Sequence, residues 1–358
     1  MIVVTGATGH IGNVLVRELV ARGEQVRVLL LPVEDTTPLD GLPVNKVRGD
    51  VRDLKSLITA FKDADMVYHL AGVISILAGK NELLNQVNVI GTRNVVAACR
   101  QTGVRRLVYT SSIHAVREPP HGTVIDESSP YDPASVLGDY AKSKARATLE
   151  VLKGVGQGLD AVVVCPTGVI GPYDYRVSEM GQLILDFTNR KLKAYLDGAY
   201  DFVDVRDVAR GLILAAEKGR AGESYLLSGK QITVRDLLSM LEEITGIKAP
   251  AFKVPAWLAR TAGKIAPLYY RMARARPLFT TYSVDVLASN SLVSSARARR
   301  ELGFSTRRVR ESVVDAVAWF RERGYAPALN GNRNKPGRHK RRRLALIRHR
   351  SAYPSHNH

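Results

Sequence analysis

The sequence predicts an α/β protein built on a doubly wound parallel sheet, with a smaller, mainly helical C-terminal lobe. Three observations support this architecture. Apolar runs alternate with segments of helical periodicity through the first two-thirds of the chain. The runs are continuously apolar, as expected of parallel strands covered by helices on both faces. At 358 residues, the chain is also longer than a single core usually supports, so a second lobe is expected.

The first strand and the first helix are joined by a glycine-rich turn. An apolar run at 1–5 leads into "GATGHIG", after which Ile11, Leu15 and Leu19 recur at helical spacing. Backbone N–H groups in such a turn can approach an anion, and the helix N-terminus adds partial positive charge. The alternative is a turn that only packs a helix on a strand, because the spacing is one residue longer than the common G-x-G-x-x-G fingerprint. The predicted pyrophosphate site comprises Gly6, Thr8, Gly9, His10, Ile11 and Gly12.

Further strands and helices follow in alternation. The strands are predicted at 25–31, 65–71, 105–110 and 160–165, and the helices at 53–62, 82–102 and 136–153. Ligands of parallel sheets bind beyond the C-terminal ends of the strands. Asp50 of "GDVRD" is expected to accept a hydrogen bond from an adenine amino group while Val51 packs on the ring. The small residues of "HLAG" allow close backbone approach to the phosphate and ribose, which adds Leu70, Ala71 and Gly72 to the cofactor site. Both motifs also occur as plain caps.

The strongest chemical signal is a tyrosine and a lysine four residues apart. Tyr140 and Lys144 in "DYAKSK" share one face of a predicted helix, so both can point into one cleft. An ordinary tyrosine pKa near 10 is too high for a base at neutral pH, and a neighbouring ammonium together with the positive nicotinamide of an oxidised cofactor favours the phenolate. Ser112, at the end of a strand, would hold the substrate oxygen. Such a pair alone is usually solvated, and only the order of the preceding motifs favours catalysis.

These motifs together resemble the extended short-chain dehydrogenases/reductases of the NAD-dependent epimerase/dehydratase family, and within it the dihydroflavonol reductase-like and 3β-hydroxysteroid dehydrogenase-like members. The resemblance spans 1–325 and also includes "NVIGT", "CPTGVIGP" and "FVDVRDVA". It implies a Rossmann dinucleotide-binding fold and an NAD(P)-dependent oxidoreductase. It further implies three catalytic roles: Tyr140 is the general acid/base, Lys144 binds the nicotinamide ribose and lowers the tyrosine pKa, and Ser112 polarises the carbonyl. Asn88 would support the site through backbone and water contacts. Pro166 and Thr167 would lie beside the nicotinamide, and His114 would face the substrate.

Two departures from the family pattern bear on cofactor and substrate. At the end of the second strand, family members carry either an acid that binds the ribose of NAD or an arginine that binds the phosphate of NADP. This chain has Leu30, Leu31 and Pro32 there. Desolvating an unpaired phosphate of NADP costs more free energy than losing a hydrogen bond to the ribose of NAD. The sequence therefore favours NAD over NADP by a small margin. "AVREPP" replaces the Val-Tyr-Gly of nucleotide-sugar enzymes. The sequence therefore favours hydride transfer to or from a carbonyl or secondary alcohol of a largely apolar substrate. A nucleotide-sugar epimerase or dehydratase is the alternative function. A non-catalytic cofactor sensor or nucleic-acid-binding protein is the third hypothesis.

The domain organisation follows from the same patterns. We expect a dinucleotide-binding domain at 1–170, to which 201–230 return, a substrate lobe at 171–200 and 231–325, and a disordered basic tail at 326–358. Within the lobe, 257–276 mix bulky apolar and basic residues, which favours a lid over an apolar pocket; a membrane-surface helix is the alternative.

The composition limits cofactors, partners and location. The net charge is +18, but nine Lys and Arg and no acidic residue lie in 331–358, so the tail accounts for half of the excess. The tail is interpreted as a solvated extension without a specific role, and contact with polyanions is the alternative; no specific nucleic-acid partner is predicted. Cys99 and Cys165 have no metal or redox spacing, and no metal is expected. No transmembrane run or leader is evident, so a cytoplasmic protein with a small-molecule substrate is predicted. The family resemblance also allows a homodimer.

Overall fold

The computed structural model describes residues 1–74, 81–255, 258, 285, 287 and 289–327. The strands of these residues are β1 (Ile2–Thr5), β2 (Val26–Leu30), β3 (Asn45–Arg48), β4 (Met66–His69), β5 (Arg106–Thr110), β6 (Ala161–Pro166), β7 (Gly168–Ile170), β8 (Ala194–Leu196), β9 (Ala199–Asp204), β10 (Ser224–Leu227), β11 (Lys230–Thr233) and β12 (Phe252–Val254). The α-helices are α1 (His10–Ala21), α2 (Leu54–Phe61), α3 (Asn81–Leu84), α4 (Gly91–Thr102), α5 (Gly138–Val155), α6 (Glu179–Thr188), α7 (Val205–Lys218), α8 (Val234–Thr245) and α9 (Val309–Glu322). A π-helical turn at Asn85–Ile90 joins α3 to α4.

The central sheet has seven parallel strands in the order β10-β6-β5-β4-β1-β2-β3. Successive residues of each strand point to opposite faces, so neighbours such as Val3 and Val4 contribute to different cores. α1 and α7 cover one face, and α2, α4 and α5 cover the other. The predicted doubly wound Rossmann sheet is confirmed. Its strand order reverses between β1 and β4, where such sheets bind ligands.

A second core lies beyond the sheet. It is built from α6, α8 and α9 around buried side chains such as Ile184, Leu238, Val313 and Phe320. Two small sheets accompany these helices, one of β11-β9-β7 and one of β12-β8. The chain returns to the first domain through α7, which packs against α1, and β10, which pairs with β6 at the edge of the large sheet.

An ion network ties the returning segment to the C-terminal part of the chain. Asp207 in α7 is fully buried and contacts Arg210 and Arg307. The backbone N–H of Arg307 also donates to Asp207 at 2.8 Å, and its guanidinium lies 3.7 Å from the buried Asp204. Buried carboxylates require such partners, so Arg307 holds 303–308 against the first turn of α7.

Two predictions from the sequence fall outside the described residues. They concern the lid at 257–276, of which only Leu258 is described, and the basic tail from 328 onward. Among the described helices, none combines the length and apolar character needed to cross a membrane.

Candidate active site

The glycine turn brings β1 and β4 into close contact. Gly6 has a φ of 71°, and a β-carbon there would lie 2.6 Å from the backbone nitrogen of Ala71. A β-carbon at Gly12 would lie 2.1 Å from the carbonyl oxygen of Gly6. Gly9, the N-cap residue of α1, has no side-chain cap, and a β-carbon there would meet only the Gly6 oxygen, at 3.3 Å. Gly6 and Gly12 are therefore needed for the fold, whereas Gly9 leaves an open cradle at a helix N-terminus that fits a pyrophosphate.

The other predicted residues of the turn have defined partners. The hydroxyl of Thr8 donates to the carboxylate of Glu34, which follows β2. The His10 ring lies 2.9 Å from the carbonyl oxygen of Pro172, and Ile11 packs against the core beneath α1.

A buried histidine aligns the ends of β1 and β4. The Ala71 N–H donates to the Thr5 hydroxyl at 3.2 Å, and that hydroxyl lies 2.7 Å from Nδ1 of His69. Nε2 of His69 lies 3.0 Å from the Thr92 hydroxyl. Burial lowers the pKa of His69 to about 3, so the ring is neutral. This chain of contacts holds Leu70, Ala71 and Gly72 beside the glycine turn.

Asp50 and Val51 lie beyond β3, at the predicted adenine side. Val51 is buried. Both carboxylate oxygens of Asp50 accept from Arg52, with an Nη2 to Oδ2 distance of 2.7 Å. The carboxylate of Asp50 thus has a local structural partner, and its contact with adenine stays a prediction.

Ser112 and Tyr140 meet at the C-terminal end of β5. Ser112 is buried in extended conformation, its hydroxyl accepts from the N–H of His114 at 3.2 Å, and its interaction with the phenol opposes the rise that burial causes in the pKa of Tyr140. The neighbouring Ser111 points the other way, where its hydroxyl lies 2.7 Å from that of Thr148. The geometry favours Ser112 over Ser111 for contact with a substrate.

The pKa of Tyr140 differs in direction from the sequence prediction. Burial raises it to about 12, and the hydrogen bond from Ser112 opposes this rise. Lys144 is not among the groups that shift this pKa in the structure, and desolvation of the buried phenolate is the largest cause. The phenol is therefore protonated at neutral pH, as an acid that donates a proton requires.

Lys144 lies one helical turn beyond Tyr140 and is almost completely buried. Its Nζ donates to the carbonyl oxygen of Thr110 at 2.7 Å and lies 4.6 Å above the ring of Tyr109. Burial lowers its pKa from 10.5 to about 7. An ammonium at this depth, close to the end of β5, is placed to hold the hydroxyl groups of a ribose.

Asn88 connects α5, the helix that carries Tyr140, to the loop after β4. Its side chain exchanges hydrogen bonds with the backbone of Val73, at 2.8 and 3.0 Å, and donates to the hydroxyl of Ser143 at 2.9 Å. Ser143 in turn donates to the carbonyl oxygen of Tyr140 at 2.7 Å. The π-helical turn aims Asn88 at both elements; such turns often occur at functional sites.

Pro166 and Thr167 follow one another at the end of β6. The Thr167 hydroxyl donates to the carboxylate of the buried Asp201 at 2.6 Å, and Asp201 also accepts from the N–H of Gly229 at 2.9 Å. This hydroxyl fixes the junction between β6 and β9, so any contact of Thr167 with a nicotinamide involves its other atoms.

His114 lies in the wall of a cavity next to Tyr140. Its Nε2 is 2.9 Å from the Tyr200 hydroxyl, and the His114 and Tyr140 ring centroids are 6.4 Å apart. Burial lowers the pKa of His114 to about 4, so the ring is neutral. Apolar side chains form part of the same wall; they are Ile113, Ile125 and Val293.

Sequence reasoning missed three residues of this region. Arg176, Tyr200 and Asp201 come from the segment 173–201 and approach the site only through the fold. The only signal was their position just after the motif "CPTGVIGP" and before "FVDVRDVA". Within the residues that the structure describes, no group of three or more His, Cys, Asp or Glu side chains is arranged to hold a metal ion.

Comparison with known proteins gives consistent matches. The sequence profile described as "NAD dependent epimerase/dehydratase family" matches residues 2–228. "Sterol demethylase protein B" of Methylococcus capsulatus is 41% identical over 325 residues, which is 90% of this chain and 98% of that protein. A "putative dihydroflavonol 4-reductase" of Synechocystis sp. is 34% identical, covering 90% and 95%. The "3beta-hydroxysteroid-dehydrogenase/decarboxylase isoform 1" of Arabidopsis thaliana is 31% identical, covering 85% and 75%.

Solved structures agree with this result. The crystal structure of gox2253 superposes with a TM-score of 0.81 at 34% identity and covers 91% of this chain and 99% of that one. The dTDP-glucose 4,6-dehydratase DesIV of Streptomyces venezuelae, solved with NAD bound, has a TM-score of 0.75 at 25% identity, with 92% and 99% covered.

Proposed function

Because this chain belongs to the NAD-dependent epimerase/dehydratase family and is an NAD(P)-dependent oxidoreductase, we propose that it transfers a hydride between NAD and a secondary alcohol or ketone of a largely apolar, sterol-like substrate. The observation that carries the proposal is the position of the buried Ser112 beside Tyr140, just after the end of β5, where ligands of such sheets bind. Lys144 follows one turn later on the same helix.

Each of these three residues has a role in the proposed reaction. A bound nicotinamide supplies or accepts the hydride. In reduction, the Ser112 hydroxyl donates a hydrogen bond to the substrate oxygen, and the protonated phenol of Tyr140 transfers its proton to that oxygen. In oxidation, the phenolate accepts the proton, so this direction requires the pKa of Tyr140 to fall below about 12. In this proposal the positive nicotinamide of the oxidised cofactor, together with the ammonium of Lys144, lowers the pKa of Tyr140 once the cofactor is bound, and Lys144 holds the nicotinamide ribose.

Two observations support an apolar substrate. Ile113, Ile125 and Val293 form the apolar part of the cavity beside Tyr140, and polar side chains, among them Glu118, Asp201 and Asn290, form the rest of its wall. This mixed lining fits an apolar substrate that carries a polar group. The two relatives named for sterol or steroid chemistry are similar over 90% and 85% of this chain. In this proposal the substrate lobe comprises 171–200 and 231–325, and the second core described above lies within it.

The cofactor proposed is NAD rather than NADP. Leu31 provides no cation at the end of β2, and the Glu34 carboxylate, which accepts from the Leu31 N–H at 2.8 Å, would repel a phosphate. The glycine turn, His69 and the strand ends supply the rest of the dinucleotide site in the proposal.

The test is turnover of a substrate panel by the full chain with NAD or NADH. The panel contains 3β-hydroxysteroids, ketosteroids, simple apolar ketones and nucleotide sugars. We expect turnover of the steroid or ketone members, and Tyr140→Phe should reduce kcat by about 10²- to 10⁴-fold with cofactor affinity nearly unchanged.

Two adjacent serines provide the matched control. Ser112→Ala should lower kcat, whereas Ser111→Ala, which removes a hydroxyl bound to Thr148, should retain it. Turnover of nucleotide sugars alone would support the epimerase or dehydratase alternative, and full activity of Tyr140→Phe would refute the assigned chemistry.

A further inference from the structure

Glu34 returns to the end of β2 through a tight turn. The N–H of Glu34 donates to the carbonyl oxygen of Leu31 at 3.2 Å, and the Leu31 N–H donates to Oε2 of Glu34 at 2.8 Å. β2 ends at Leu30, so the carboxylate lies where dinucleotide-binding sheets carry the residue that reads the adenosine ribose. The acid absent from the strand end is thus supplied by a residue further along the chain.

Arg176 meets this carboxylate from the other side. Its Nη2 lies 2.6 Å from Oε1 of Glu34 and donates to the Thr8 hydroxyl at 2.5 Å. The Thr8 hydroxyl donates to the same Oε1, which closes a triangle of three side chains over the glycine turn. The Glu34 side chain is only 9% exposed, whereas that of Arg176 is 54% exposed and so remains within reach of a ligand.

The position of Arg176 does not depend on Glu34. The preceding residue pair is anchored to α1, because the Pro172 and Tyr173 carbonyl oxygens are bound by His10 and Asn13 at 2.9 and 3.1 Å. The following turn is closed by the buried Asp174, which accepts from the N–H of Ser178 at 2.8 Å. These contacts keep the Arg176 backbone in place when the Glu34 charge is removed.

We propose that Glu34 and Arg176 form the switch that sets the cofactor preference of this chain. Glu34 repels a 2′-phosphate and at the same time pairs with the one cation placed by 172–178 at the adenosine ribose. Removal of the Glu34 charge leaves Arg176 at that position, where a guanidinium binds a phosphate through charge-assisted hydrogen bonds. The inference rests on the proposed function, because it requires NAD to bind at the glycine turn.

A second arginine lies near the same strand end and has to be distinguished. Nη1 of Arg48 donates to the carbonyl oxygen of Leu31 at 2.6 Å. This contact directs Arg48 to the backbone, and no contact between Arg48 and Glu34 is found in the described residues. The matched variant Arg48→Met therefore removes an equal charge from the same strand end and leaves the side-chain contacts between Glu34 and Arg176 in place.

The experiment measures binding rather than activity. NADH and NADPH are titrated by fluorescence at one salt concentration against the wild-type full chain and four variants, namely Glu34→Gln, Arg176→Met, Glu34→Gln with Arg176→Met, and Glu34→Gln with Arg48→Met. The wild type should prefer NADH. Glu34→Gln should shift the affinity ratio toward NADPH by about tenfold or more, the size of one charge-assisted hydrogen bond. Arg176→Met in that background should remove most of the gain, whereas Arg48→Met should retain it.

The possible failures are separable. A wild-type chain that binds neither cofactor refutes the proposed function. Binding of NADH with an unchanged ratio in Glu34→Gln refutes only the switch, and so does a gain that Arg48→Met removes instead. A wild-type preference for NADPH refutes both the switch and the proposed choice of NAD. Arg176→Met alone gives an independent check, because it should weaken NADPH binding by a larger factor than NADH binding.

Discussion

Replacement of Lys144 by methionine should stabilise the fold while it removes activity. Lys144 is buried, and its pKa falls from 10.5 to about 7. At about 1.4 kcal/mol per pKa unit, a shift of this size lowers the free energy of unfolding by about 4 kcal/mol at pH 7. Methionine has similar length and no charge. It gives up the hydrogen bond to Thr110, which costs about 1 to 3 kcal/mol. A net gain of about 1 to 3 kcal/mol remains.

The same reasoning fixes a pH dependence. The pKa of Lys144 is lower in the folded than in the unfolded chain, so between these two values the unfolded chain binds more protons. Stability of the wild type therefore rises with pH across this window. From pH 7 to pH 9 the rise due to Lys144 is about 2 kcal/mol, and Lys144→Met lacks it. The stability advantage of the variant should shrink by that amount.

Urea unfolding at pH 7 and pH 9 measures both effects, with cofactor affinity and kcat recorded in parallel. Lys153→Met is the control, since Lys153 is exposed in the last turn of the same helix and should change stability by less than about 0.5 kcal/mol. A Lys144→Met chain that is less stable than the wild type at pH 7, or whose advantage does not depend on pH, would refute the desolvation argument.

The remaining predictions concern the cofactor turn and the ion network. Gly9→Val should abolish NADH binding and leave cooperative unfolding intact. Gly12→Ala should destabilise the fold, because its β-carbon meets the Gly6 oxygen at 2.1 Å. Tight NADH binding by a folded Gly9→Val chain would contradict the assignment of Gly9 to the cofactor site. Arg307→Leu should cost about 3 kcal/mol in urea unfolding, since it deprives the buried Asp207 of a partner, while the exposed neighbour Arg308→Leu should cost little. Equal stability of these two arginine variants would contradict the role of the network.

The sequence was sufficient for features that depend on local chemistry. The strand, glycine turn and helix at the N-terminus follow from the residues themselves, and the structure explains why Gly6 and Gly12 cannot carry a side chain. The structure separates Ser112 from Ser111 by a one-residue register step, because adjacent residues of an extended segment face opposite sides, and the role of Ser112 stays a prediction.

Features that depend on distant residues or on burial were not predictable. The contact of Arg176 with Glu34 joins positions 142 residues apart. The pattern at 82–102 predicts one helix, whereas the structure inserts a π-helical turn that redirects Asn88; periodicity alone does not reveal this insertion. The pKa of Tyr140 was predicted to fall because the nearby charge is visible in the sequence, but the larger desolvation cost is visible only in the structure.

The position of β10 at the edge of the large sheet has a consequence for synthesis on the ribosome. Every residue of β6, Ala161–Pro166, is buried in the finished protein, yet its outer edge has no partner until Ser224–Leu227 have been made. At about 5 to 20 residues per second, translation of the intervening segment takes about 3 to 12 s. During that time a strand with three consecutive valines presents unpaired backbone groups, a template for pairing with another nascent chain. A premature stop between β6 and β10 would make that exposure permanent, so truncated chains of this protein should enter aggregates rather than accumulate as a soluble cofactor-binding fragment.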